Sequence, residues 1–111
     1  EAKNPGEVTL CVSNGYKKKF YLNENFNQLP QSIRDELKIM CVLYTEDVGG
    51  ILELVFDEDG TLQFKTSCEE NDFLYDEIGS VLKIKQYQNE KRDLLEALEM
   101  FYRIIYLGEG L

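Results

Sequence analysis

The sequence predicts an α+β domain in the order ββαββα, with a four-stranded antiparallel sheet and helices packed on one of its faces. Three observations lead there. Two pairs of short runs alternate apolar and polar residues around turn signals, and each pair is followed by a stretch of helical periodicity. The chain has 111 residues, 43% of them hydrophobic, which suits one domain with a core of its own. No apolar run approaches the roughly 18 residues of a membrane span, so neither a membrane nor a signal peptide is expected.

Residues 1–6, with Pro5-Gly6, read as a disordered or tag-derived end, and 7–107 as the single domain. Val8, Leu10 and Val12 alternate with Thr9, Cys11 and Ser13, which is strand periodicity. Asn14-Gly15 then signals a two-residue hairpin turn, and Lys17 to Leu22 returns as the second strand. Lys17, Lys18 and Lys19 fit an edge strand guarded by charge against pairing with other molecules.

After the Asn23-Glu24-Asn25 loop, Pro30 opens a helix from its first turn. Ile33, Leu37, Met40, Cys41 and Tyr44 form one apolar face. Its second half, Ile39 to Tyr44, is apolar nearly all round, and Gly49-Gly50 ends it. Ile51 to Phe56 and Thr61 to Thr66 form the second hairpin, joined by Asp57-Glu58-Asp59-Gly60. Leu52, Leu54, Phe56, Leu62 and Phe64 take one face of it.

The acidic loop Glu69-Glu70-Asn71-Asp72 leads into the C-terminal helical region, with Asp72 as its expected cap. A straight helix over residues 73–106 would run about 50 Å at ~1.5 Å per residue. That exceeds the diameter of a domain whose radius of gyration is about 13 Å. The last helix is therefore expected to be long and protruding, or kinked, most simply at Gly79-Ser80.

The stretch from Ile39 to Tyr102, and particularly IMCVLYTEDVGGILELVFDEDGTLQFKTSCEENDFLYDEIGSVLKIKQYQ, resembles a family of small uncharacterised proteins, a domain of unknown function, from anaerobic Gram-positive bacteria. The resemblance covers most of the chain. It implies a bacterial cytoplasmic protein and carries over no catalytic residue.

Composition narrows the chemistry. Twelve Lys+Arg against 21 Asp+Glu leave a formal charge of −9 and a pI of about 4.5, which argues against nucleic acid or a phosphate-binding surface. With no histidine, the commonest general base and metal ligand are missing, and so is every Ser-His or Cys-His pair. Cys11, Cys41 and Cys68 lie about thirty residues apart with no CxxC, matching neither a zinc site nor a disulfide framework. They read as packing thiols in a reducing, cytoplasmic compartment. Cys68 is the most reactive candidate by its polar surroundings, although Glu69 and Glu70 work against a thiolate there.

The turn Asp57-Glu58-Asp59-Gly60 fails the calcium-loop pattern, since its glycine is fourth rather than sixth. Gly49-Gly50 is too short for a phosphate cradle. Among 21 acids accidental pairs abound, so paired carboxylates alone indicate no acid–base site. Lys83, Lys85, Lys91 and Arg92 read as a solvated, salt-bridged helix surface. No catalytic residue, cofactor or metal site is assigned.

The remaining signal is apolar surface. The run Phe101-Tyr102-Arg103-Ile104-Ile105-Tyr106-Leu107 holds one charge and cannot all face one side of a helix. Ile39, Val42 and Leu43 on the first helix, with Phe101, Tyr102, Ile105 and Tyr106 on the last, are the candidate protein interface. The expected function is a non-enzymatic interaction or regulatory module, homodimeric through one of these helices. Two alternatives stay open: an acidic chaperone or immunity-type protein for a basic client, and a small carboxylate-dependent cation binder or enzyme. A flat apolar patch rimmed by acids would favour the first alternative, and acids gathered in an apolar pocket the second.

Overall fold

The computed structural model describes residues 6–108, so the expectation for the 1–6 end lies, Gly6 apart, outside the described residues. β1 (Val8–Asn14) and β2 (Lys19–Leu22) precede a single 3₁₀ turn, Glu24–Phe26, and α1 (Gln31–Val48). Then follow β3 (Ile51–Phe56), β4 (Leu62–Ser67), α2 (Glu77–Glu90) and α3 (Arg92–Ile105). The sheet runs β2-β1-β3-β4, every pair antiparallel. The expected α+β class and four-stranded sheet hold, and the C-terminal region is two helices. The short, lysine-bearing β2 is an edge strand, the position that charge is suited to protect.

The first strand departs from simple alternation. Between Thr9 and Cys11 the β1–β3 register shifts by one residue, leaving Leu10 as the extra residue of a bulge. Leu10 and Cys11 consequently both enter the core, and Ser13 points to α1, where its hydroxyl meets Thr45 at 2.9 Å. Val12, expected beside Val8 and Leu10, falls on the opposite face, because one extra residue reverses every side chain beyond it. Outside the core, Thr9 donates to Glu53 at 2.7 Å and Lys65 pairs with Glu7 at 2.6 Å.

The first turn is also wider than two residues. Asn14 pairs with Lys19, so residues 15–18 form the loop, and positive φ falls at Lys18 rather than at Gly15. The Asn14 side chain accepts from the Tyr16 and Lys17 amides, while the Gly15 amide donates to Gly50 at 2.8 Å. A Cβ on Gly15 would stand 2.8 Å from the Gly50 carbonyl oxygen, so glycine serves close approach here, not turn conformation.

α1 packs its buried face, Leu37, Met40, Cys41, Tyr44 and Thr45, onto the sheet. Pro30 stands at its N-cap, one residue before the expected first turn, and Gly49 closes it at φ 86. β4 begins one residue later than expected. The core reaches from Phe26 on the 3₁₀ turn, through Leu52, Leu54 and Phe56, to Leu94, Leu98 and Tyr102 on α3.

The C-terminal helices break at Lys91 (φ −108, ψ 26), not at Gly79-Ser80. Gly79 belongs to the cap of α2: Asp76, rather than Asp72, accepts from the Gly79 amide at 2.8 Å. A Cβ there would stand 2.3 Å from the Asp76 carboxylate. The break lets two helices of different pattern pack separately. α2 lies against α1 and α3 with Ser80 and Tyr87 buried, and α3 turns Leu94, Leu95, Leu98 and Tyr102 into the core.

Candidate functional site

The residues singled out from the sequence fall into three environments. On α1, Ile39 and Leu43 are exposed, at 59% and 51%, while Val42 is half-buried beside a small cavity. On α3, Tyr102 retains 3% exposure and stacks on Phe56 with ring centroids 4.3 Å apart. Phe101 is half-buried, Ile105 is 53% exposed, and Tyr106 keeps 36% exposure beside its stacked neighbours. Phe26 draws the aromatic run together, lying 6.3 Å from Phe101, 6.4 Å from Tyr102 and 5.2 Å from Tyr106. Much of that run thus covers the core: offset and stacked rings add about 0.5–1.5 kcal/mol per pair beyond their buried area.

The most exposed apolar surface lies elsewhere. Phe73 and Leu74, in the segment before α2, are 91% and 93% exposed. Ile78, Val81 and Leu82 follow at 76%, 53% and 62%. On a helix the spacing 78, 81, 82 is i, i+3, i+4, one stripe, and it lies away from the buried Ser80 and Tyr87. Sequence reasoning missed this stripe, although its spacing was visible, because the helix was expected to break through its middle.

The segment that presents Phe73 and Leu74 is held in place. The Tyr16 hydroxyl donates to Asp72 at 2.5 Å and accepts from the Glu69 amide at 3.0 Å. Asp72 also accepts from the Leu74 amide, and the Tyr75 ring covers Gly50, where a Cβ would stand 2.6 Å from Tyr75 Cε1. Tyr75 then donates to Ser80, which meets Tyr44 on α1. Glu69, Glu70, Asp72, Asp76 and Glu77 surround Phe73, Leu74 and Ile78 in the chain, and Lys85 lies one turn beyond Leu82.

The acidic turn between β3 and β4 is occupied by its own backbone. Asp57 accepts from the Asp59 and Thr61 amides, both at 2.9 Å, and from the Gln63 side chain at 3.0 Å. The Thr61 amide is the chief reason its carboxyl lies below the ordinary value. Among the described residues no group of three or more His, Cys, Asp or Glu could hold a metal ion, and no helix is long and apolar enough to cross a membrane.

Residues 7–110 match a family of unknown function, DUF6145. The chain belongs to DUF6145. The match spans the whole sheet and all three helices and accords with the expected domain of unknown function. No curated protein and no solved structure matches the chain.

Proposed function

We propose that this protein is a non-enzymatic interaction module that binds a basic, amphipathic segment of another protein through Phe73, Leu74 and the Ile78–Val81–Leu82 stripe of α2. The observation that carries the reading is the near-complete exposure of Phe73 and Leu74 on an anchored segment. Covering a large apolar side chain contributes roughly 1.5–3 kcal/mol, so five such residues supply useful affinity. Contiguous exposed apolar surface on a folded domain marks an interaction site.

Charge supports a client over a second copy. Five carboxylates border the N-terminal part of the stripe, and each chain carries −9, so two copies repel at long range while a basic segment is steered in. Of the readings open from the sequence, this is the acidic protein with a basic client. The three free cysteines and the family resemblance support the cytoplasm of an anaerobic Gram-positive bacterium as its setting.

The test titrates a synthetic Leu/Lys amphipathic helical peptide into the isotopically labelled protein, with sedimentation of the protein alone in parallel. Saturable amide shifts at residues 73–82, weakened about tenfold by Ile78→Asp and by high salt, are expected. Shifts confined to other surfaces overturn the assignment. Sedimentation as two chains, returned to one by Ile78→Asp, replaces the client with a second copy.

A further inference from the structure

A cavity of about 260 Å³ lies between the β1–β2 loop and the second half of α1. Lys18 and Lys19 reach it from the loop and β2, and Lys38 from α1. Phe20 and Val42 supply apolar wall, and Glu46 is the carboxylate of the lining. We propose that this cavity binds a small phosphate monoester, its phosphate held by Lys18, Lys19 and Lys38 and its organic part against Phe20 and Val42. The site is independent of the α2 stripe.

Charge distribution is the first argument. The overall −9 works against phosphate binding on the surface as a whole, but this cavity gathers three lysines against one carboxylate in its lining. Lys65, Lys83 and Lys91 each pair with a carboxylate. Among the described residues no carboxylate stands within ion-pair distance of Lys18, Lys19 or Lys38; Lys17 and Lys85 are likewise without an ion pair, but they do not line the cavity. In a chain with almost twice as many acids as bases, three unpaired cations at one cavity leave a positive field that a mobile anion can neutralise.

Backbone conformation is the second. Lys18 holds φ 54, the one positive φ at a non-glycine residue among those described. Glycine or asparagine would take that conformation more readily. Unfavourable backbone held by its surroundings concentrates at ligand sites, and here it belongs to a lysine at the cavity.

Size and donor type choose the ligand. The volume is below the roughly 300–1,000 Å³ of drug-sized sites, which suits a single small molecule. The described lining offers three lysines, which act as compact point charges, and no arginine fork; a phosphate monoester, with roughly 1.5 to 2 negative charges near neutrality, gains more from three such charges than a carboxylate with one. The buried hydroxyls of Ser13 and Thr45 line the cavity but bond each other, and Thr45 also donates to backbone carbonyls of α1. The lysines therefore carry the recognition.

The test follows amide shifts of the intact protein during titration with phenyl phosphate, inorganic phosphate, benzoate and phenol. Phenyl phosphate is expected to shift Lys18, Lys38 and Val42 saturably and to bind about tenfold tighter than each of the others. Lys38→Gln should weaken it severalfold. Lys18→Gly separates binding from folding, since it should raise the melting temperature while weakening phenyl phosphate. Equal affinity for inorganic phosphate reduces the cavity to a patch of surface charge and overturns the proposal. So does equal affinity for benzoate, unchanged affinity in Lys18→Gly, or no saturable shift at these residues.

Discussion

The Tyr44 hydroxyl on α1 lies 2.5 Å from the Ser80 hydroxyl on α2, and Tyr75 donates to the same Ser80 oxygen at 3.0 Å. Three hydroxyls from two helices and the preceding segment therefore meet at one point. Tyr44 and Ser80 are buried, at 0% and 2% exposure, and the bonds fix α2 on α1 and hold the segment bearing Phe73 and Leu74.

Ser80→Ala is expected to cost about 1–3 kcal/mol, because it leaves two phenol groups without their common partner. Tyr44→Phe, which removes one hydroxyl and leaves Tyr75 bonded to Ser80, should cost about 0.5–1.5 kcal/mol. Denaturant unfolding measures both. Hydrogen exchange in residues 73–80 should rise more in Ser80→Ala than exchange in β1 or β3.

Burial is the main cause that pushes Tyr44 from 10.0 up to about 12. A group whose folded value is raised contributes stability fully below its unfolded value and loses it as pH rises through the folded one. The deficit of Tyr44→Phe relative to the natural chain should therefore shrink between pH 10 and about 12. Unfolding curves across that window check it, and a constant deficit would contradict the buried phenol.

Asp57 acts at the other end of the scale. Its carboxyl is lowered, first by the Thr61 amide, so its contribution is present above 3.8, its ordinary value, and is lost as pH falls through the lower folded value. Asp57→Asn should be less stable than the natural chain near neutrality, with the gap closing in acid below that value. Parallel acid unfolding of the two chains tests the sign.

The thiols differ sharply in access. Cys11 and Cys41 are fully buried with sulfurs 3.8 Å apart, burial raises Cys11 well above the usual thiol value, and Cys68 is exposed. Native protein should take up one equivalent of a thiol reagent and denatured protein three. Cys68→Ser should abolish the native reaction, whose product is read by mass spectrometry.

Local information carried much of the architecture. The apolar face of α1, the stop at Gly49, the strand Ile51–Phe56 and the tight turn at Gly60 each follow from residues close in the chain. Such features depend on backbone geometry and short-range hydrogen bonds, which a few neighbours specify. For the candidate interface, the spacing of Ile78, Val81 and Leu82 was equally local and so equally legible.

The α+β class, the order of the elements and the excess of acids were thus legible from residue order. Contacts between distant parts of the chain settled the rest. The bulge at Leu10 reverses Val12 because β1 must match β3, and Phe26 joins the core because α3 brings Tyr102 and Tyr106 to it. The helix bends at Lys91, where α2 leaves α1 and α3 turns to the sheet. Tyr102 is covered while Phe73 and Leu74 are bare for the same reason: burial belongs to what lies across from a residue, and a one-dimensional pattern records only what lies beside it.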